Sequence, residues 1–222
     1  LHGVGVSVTN ALSEKLEVEI KRDGGGHEIA FADGKVTKKL KKTGSVGDRN
    51  TGTSLRIWPN KKYFDSPNIP LPELEHLVRS KAYLLPRLTT VLQVEGKEKK
   101  TWKYERGMAQ YFDFMLQGRE LVAPLFAGER YFQETNIPEV EPGEGASWAL
   151  GWVTEGETFA DSHVNLIPTR SGGTHEAGFR SGIFQALAAF MDRRALAPKG
   201  VKVIADDLWQ RACFTLSARI VR

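Results

Sequence analysis

The string Leu1-His2-Gly3-Val4-Gly5-Val6, running straight into Ser7-Val8-Thr9-Asn10-Ala11-Leu12-Ser13, constrains this chain more than any other stretch. Two glycines one residue apart let backbone N–H groups crowd together where a Cβ would clash. The run over residues 3–13 reads as a helix beginning at that turn. A helix start adds free N–H groups and a positive dipole end. Together these features suit a phosphate chain. Spacing alone is met equally by a glycine cap or tight turn, so the neighbours must carry the assignment. A phosphate loop seldom opens a domain, and the chain is expected to continue upstream of Leu1.

Alternation of apolar and charged residues in Leu16-Glu17-Val18-Glu19-Ile20 predicts a half-exposed strand. The Asp23-Gly24-Gly25-Gly26 cluster and Asp33-Gly34 predict turns. Ile29–Phe31 reads as the returning strand, and Val36 to Leu40 as a third. A further strand runs from Thr51 to Pro59. Residues 71–85 form a helix, with Pro72 in its first turn and Leu74, Leu77, Val78, Ala82 and Leu85 at helical spacing. Pro86 ends it, and a domain junction is placed near residue 88. Beyond it, Thr90–Val94 and Thr101–Tyr104 read as a hairpin and Gly107–Leu116 as a helix. Residues 117–145 read as loop-rich. Strands are expected at Ser147–Thr154 and Ser162–Leu166, then an amphipathic helix from Ser181 to Arg194. Asp206–Arg211 reads as a short helix, and Phe214 to Ile220 as the last strand.

Composition excludes several classes. Hydrophobic content of 41% and charged content of 26% fit a globular chain with a packed core. No apolar run approaches membrane-spanning length. The single cysteine, Cys213, lies in an apolar strand-like run and is read as core packing; it fits a reducing compartment. The five histidines show no zinc spacing, and no metal ligand is assigned. A net charge of +4 permits nucleic-acid contact. Lys38, Lys39, Lys41 and Lys42 read as a solvated face.

Three further strings draw notice. Thr51-Gly52-Thr53 leads into a strand ending in Trp58-Pro59, and the Thr53 hydroxyl can serve a purine edge or a bridging water. Arg22 precedes a turn, and its planar guanidinium suits a flat, acceptor-rich ligand. Asn165-Leu166-Ile167-Pro168-Thr169-Arg170-Ser171-Gly172-Gly173-Thr174-His175-Glu176-Ala177-Gly178-Phe179-Arg180 reads as a strand, a glycine turn and a helix capped by Thr174. His175 and Arg180 read as structural anchors. The adjacent Asp206 and Asp207 point about 100° apart on a helix, so a helix N-terminus explains them better than a metal.

The opening string resembles the third ATP-binding motif of the B subunits of type IIA DNA topoisomerases. These belong to the gyrase/Hsp90/histidine-kinase/MutL ATPase superfamily. The Ile-Pro, Gly-Gly-Thr-His and Gly-Phe-Arg string resembles the signature of their transducer domain, and Asp206-Asp207-Leu208-Trp209-Gln210-Arg211 is more similar to topoisomerase IV than to gyrase. The resemblance implies an α+β fold. Residues 1–88 would be the rear of the ATPase domain, an antiparallel sheet with helices. Residues 89–222 would be a transducer resembling the second domain of ribosomal protein S5.

The resemblance further implies that Leu1, His2, Gly3, Val4, Gly5, Val6 and Thr53 bind ATP, with Thr53 near the adenine. It makes Arg22 a contact for aminocoumarin-type inhibitors. Magnesium is the implied metal cofactor. Implied partners are the topoisomerase IV A-type subunit, in a heterotetramer with two copies of each type, double-stranded DNA, and a second copy of this chain on ATP binding. A bacterial cytoplasmic, nucleoid-associated location goes with them, with no membrane. The general-base Glu, the magnesium-holding Asn and the adenine-reading Asp would lie upstream, and the lysine of the Gln-Thr-Lys loop just after Arg222. No catalytic residue is therefore assigned within the chain. Gyrase B is the alternative within the family. A non-catalytic DNA- or protein-binding module is the alternative outside it. A dehydrogenase built on Gly-x-Gly fits poorly, since no strand precedes the glycines.

Overall fold

The computed structural model describes residues 4–66, 68–134, 136–138, 140–196 and 200–221. The chain divides into two compact units, Leu1–Pro70 and Leu71–Arg222.

The first unit comprises helix α1 (Gly5–Ala11) and strands β1 (Ser13–Arg22), β2 (Gly25–Ala32), β3 (Lys35–Ser45) and β4 (Gly52–Pro59). The strands form one antiparallel sheet in the order β3-β2-β1-β4. Helix α1 is shorter than the expected 3–13: Ser13 already opens β1, its hydroxyl bonded to the Thr9 carbonyl at 2.5 Å. Asp23-Gly24 and Asp33-Gly34 both take positive φ at the two hairpin tips. That geometry matches the right-handed twist of the strands they join. Strand β3 runs well beyond the expected Val36 to Leu40. It is an edge strand, and Lys38, Lys39, Lys41 and Lys42 are exposed on it. Charged edge residues discourage pairing with another chain. Lys38 pairs with Glu28 at 2.6 Å.

The second unit contains α2 (Leu71–Leu84), the hairpin β5 (Thr90–Leu92) and β6 (Lys100–Trp102), and α3 (Gly107–Leu116). Then come β7 (Phe126–Tyr131), β8 (Gly145–Trp152), β9 (Ala160–Val164), β10 (Ile167–Pro168), α4 (Thr174–Arg193), α5 (Ala205–Trp209) and β11 (Ala212–Arg219). Its main sheet has the order β10-β9-β11-β8-β7, with β9 and β11 parallel and the other neighbours antiparallel. The sheet is covered on both faces. Ala149, Val153 and Cys213 pack with Ala82, Tyr83, Met108, Tyr111, Phe112 and Leu116 from α2 and α3. The alternate residues Leu150, Phe214 and Leu216 pack with Phe179, Ile183 and Trp209 from α4 and α5. Residues two apart on a strand share a face, which sorts the two clusters. Cys213 is a free, buried thiol in the first of them, as expected.

Helix α2 contributes Ala82 and Tyr83 to the core it shares with α3 and the main sheet, within the unit Leu71–Arg222. Three expectations are corrected. Residues 117–145 contain strand β7, which finds its hydrogen bonds on β8. Helix α4 runs unbroken from the start expected after the Gly172-Gly173 turn through the run expected from Ser181, but Gly173 is its N-cap with no side-chain cap hydrogen bond, so Thr174 is not the cap. The apolar face expected on α4 is only partly covered: Phe179 and Ile183 pack on the sheet while Phe190 is exposed. The expected anchors hold: His175 Nε2 lies 3.1 Å from Thr169 Oγ1, and the Arg180 guanidinium sits 4.8 Å from the ring centres of Trp209 and Phe214. Asp207 accepts the Ile204 N–H at 2.9 Å, the helix-start role expected of the aspartate pair.

Candidate functional site

Val4 is the N-cap of α1, and its carbonyl accepts the Val8 N–H at 2.8 Å. Among the described residues, no side-chain cap hydrogen bond closes this end. A Cβ built on Gly5 would meet nothing within 4 Å. Val4 and Val6 are exposed. Leu1, His2 and Gly3 lie outside the described residues. Helix α1 is tied to the sheet by Asn10, whose amide reaches the Gly34 carbonyl at 3.4 Å.

Thr53 lies exposed on β4, directly opposite Ile20 of β1. The register puts Leu16, Val18, Ile20 and Arg22 on one face of the sheet with Thr53, Leu55 and Ile57. Arg22 and Thr53 are thus neighbours across the strand pair. Arg22 is well exposed and holds Asp23 at 3.2 Å. Such a surface pair contributes little to stability and leaves the guanidinium free to move. Among the described residues, no hydrogen bond or ion pair joins Arg22 or Thr53 to the first turn of α1.

A second polar centre, which sequence spacing did not reveal, lies inside the second unit. Asp161 on β9 is mostly buried. Its Oδ2 accepts hydrogen bonds from the Tyr83 hydroxyl at 2.7 Å and the Tyr111 hydroxyl at 3.2 Å. The two tyrosine rings stack with centroids 3.8 Å apart. Burial, and then the Asp161 charge, push both tyrosine hydroxyls well above their ordinary range, so they stay protonated and donate. His163, two residues along β9, is fully buried, and burial lowers its pKa against the opposing pull of Asp161. His76 of α2 faces the same carboxylate, its Nε2 3.7 Å from Asp161 Oδ1. A cavity of about 620 Å³ opens beside the group, lined also by Met115, Arg170 and Glu176. Asp161 and His163 sit at alternate strand positions, a signal visible in sequence. Their partner His76 comes from a helix remote in sequence, which hid the cluster.

The DNA gyrase B family model matches residues 107–222. The chain belongs to this family. The B subunit of DNA topoisomerase 4 from Pseudomonas aeruginosa is 41% identical over 223 residues, covering 99% of this chain and 34% of that protein. The B subunit of DNA gyrase from Thermus thermophilus is 33% identical over 223 residues, with the same shares. The chain spans about a third of the length of these relatives. Two solved structures share the fold. The topoisomerase IV ATP-binding domain of Francisella tularensis, solved with a small-molecule inhibitor, has a TM-score of 0.75 and 38% identity, covering 99% of this chain and 58% of that one. The 43K ATPase domain of Thermus thermophilus gyrase B, solved with an aminocoumarin, has a TM-score of 0.77 and 26% identity, covering 100% and 59%. The expected α+β, gyrase-type fold is therefore correct. Among the described residues, no helix is long and apolar enough to cross a membrane.

Proposed function

We propose that these residues belong to the ATP-binding subunit of a type II DNA topoisomerase, of the topoisomerase IV kind, which couples ATP-driven dimerisation to passage of one duplex through another. The observation that carries this is the 41% identity to the topoisomerase 4 protein of Pseudomonas aeruginosa along nearly the whole chain. The gyrase B subunit of Thermus thermophilus, at 33%, falls below that value. On this reading the first unit belongs to the ATPase domain and the second to the transducer.

The uncapped first turn of α1 offers backbone N–H groups to phosphate oxygens, with Gly5 leaving room for their approach. Thr53 offers its hydroxyl to the adenine edge, and Arg22, on the same sheet face, borders the pocket where an aminocoumarin-type inhibitor would lie. Leu1, His2 and Gly3 complete the phosphate loop. Magnesium, when bound, neutralises phosphate charge; none of these residues is assigned to hold it. The partners are the A-type subunit in a heterotetramer, a second copy of this chain, and double-stranded DNA, met through sequence-independent contacts from lysine and arginine to phosphate. The setting is the bacterial cytoplasm, on the nucleoid.

The test is magnesium-dependent ATP turnover by the 222-residue chain and by a chain extended through the general-base Glu and the loop Lys. Only the extended chain should turn over, dimerise with ATP analogue and support decatenation. Turnover by the 222 residues alone would overturn the assignment of the catalytic groups. In the extended chain, Thr53→Ala should weaken nucleotide binding about tenfold, the loss of one well-made hydrogen bond. Unchanged affinity would remove Thr53 from the site.

A further inference from the structure

We propose that His76, Asp161 and His163 form a binding site for a divalent first-row transition ion, zinc in particular. The inference stands on the second unit alone and does not depend on the nucleotide site. Asp161 and His163 project to one side of β9, and α2 brings His76 to the same point. Asp161 Oδ1 lies 3.7 Å from His76 Nε2 and 3.8 Å from His163 Nδ1. One donor atom from each of the three side chains lies within 4.8 Å of the others. None of these separations is a hydrogen bond. Ligands on a tetrahedral ion with bonds near 2.0–2.1 Å sit roughly 3.3 Å apart. Closing the set takes a contraction of about 0.5 Å on the two carboxylate–imidazole separations and of up to about 1.5 Å between the imidazoles, which the partly exposed His76 has room to supply.

The hydrogen bonds around the cluster hold the Asp161 carboxylate in place. Asp161 spends Oδ2 on the two tyrosines, which fixes the carboxylate and leaves Oδ1 toward the histidines. The Tyr83 hydroxyl has one proton, directed to Asp161, so its oxygen can accept from His163 Nε2 at 3.5 Å. Nδ1 of His163 faces Oδ1 at 3.8 Å, and the same ring also hydrogen-bonds the Leu216 backbone. Partners that orient a ligand in this way are a regular feature of metal centres. Two imidazoles and one carboxylate favour zinc and its neighbours over magnesium or calcium, which take mostly oxygen ligands. His76 and Asp161 both line the 620 Å³ cavity, so a fourth coordination position is open to water.

The experiment uses the 222-residue chain stripped with a chelator and titrated with Zn2+ or Co2+. The expected result is one ion per chain, a Co2+ visible spectrum of nitrogen and oxygen ligation, a higher Tm, and no displacement by millimolar Mg2+. His76→Ala removes a ligand at a partly exposed position, and Asp161→Asn keeps an acceptor for the tyrosines. Each should weaken binding at least about tenfold, while His27→Ala leaves it unchanged. The proposal is overturned if the parent chain takes up no stoichiometric ion, or if both variants bind as the parent does, which would locate the ion elsewhere.

Discussion

Phe112→Ala is expected to remove about 3–5 kcal/mol from the stability of the second unit, the range for deleting a fully buried aromatic. The side chain is completely inaccessible on α3. Its ring lies 5.1 Å from that of Phe159, and it fills the space over Gly151 so closely that a Cβ there would come within 3.2 Å of Phe112 Cζ. Gly151 sits in the middle of the main sheet on β8, held by its ladder bonds, so collapse into the hole is restricted. Urea unfolding followed by tryptophan fluorescence, which reports on Trp148 and Trp152 of β8, measures the change. A loss below about 1.5 kcal/mol would show that the site collapses more readily than the packing implies.

Gly145→Ala should be as damaging, for a different reason. A Cβ at Gly145 would stand 2.1 Å from the Arg130 carbonyl oxygen and 2.7 Å from Tyr131 Cα. Both obstacles are main-chain atoms of β7, and Tyr131 is the register partner of Gly145. Neither can move without opening the end of the β7–β8 ladder. A loss above about 3 kcal/mol is expected, in the tail reserved for severe backbone conflicts. Amide exchange should show residues 128–131 losing protection first. Gly151→Ala offers the contrast: its nearest obstacle is Leu121 Cδ2 at 2.9 Å, the end of a flexible side chain. It should cost less than half as much. Equal losses at the two glycines would mean that the β7–β8 approach is not the determining feature.

Local signals were legible wherever one residue's chemistry acts on its immediate neighbours. Alternation in β1, the Asp-Gly hairpin tips, the helical spacing in α2 and the apolar run of α3 all appear where sequence reading puts them. Strand β7 was not legible, because Gly128, Glu129 and Arg130 break any apolar alternation; its strand state comes from pairing with β8. Helix α4 runs unbroken through Gly178, Ser181 and Gly182, poor helix formers. Packing of Phe179 and Ile183 against the sheet outweighs that local preference.

The candidate sites divide along the same line. The glycine string at the start of α1, Thr53 and the transducer-like signature are contiguous motifs, so sequence by itself determined the family and the α+β class and nominated the residues proposed for a nucleotide. Only the tertiary structure decided that α2 packs with the second unit, that Arg22 and Thr53 share a sheet face, and that His76 meets Asp161 and His163. Those outcomes depend on strand register and on helix-to-sheet packing between segments far apart in the chain. The energies that select them come from burial of side chains such as Tyr83 and Phe112, which no local pattern records.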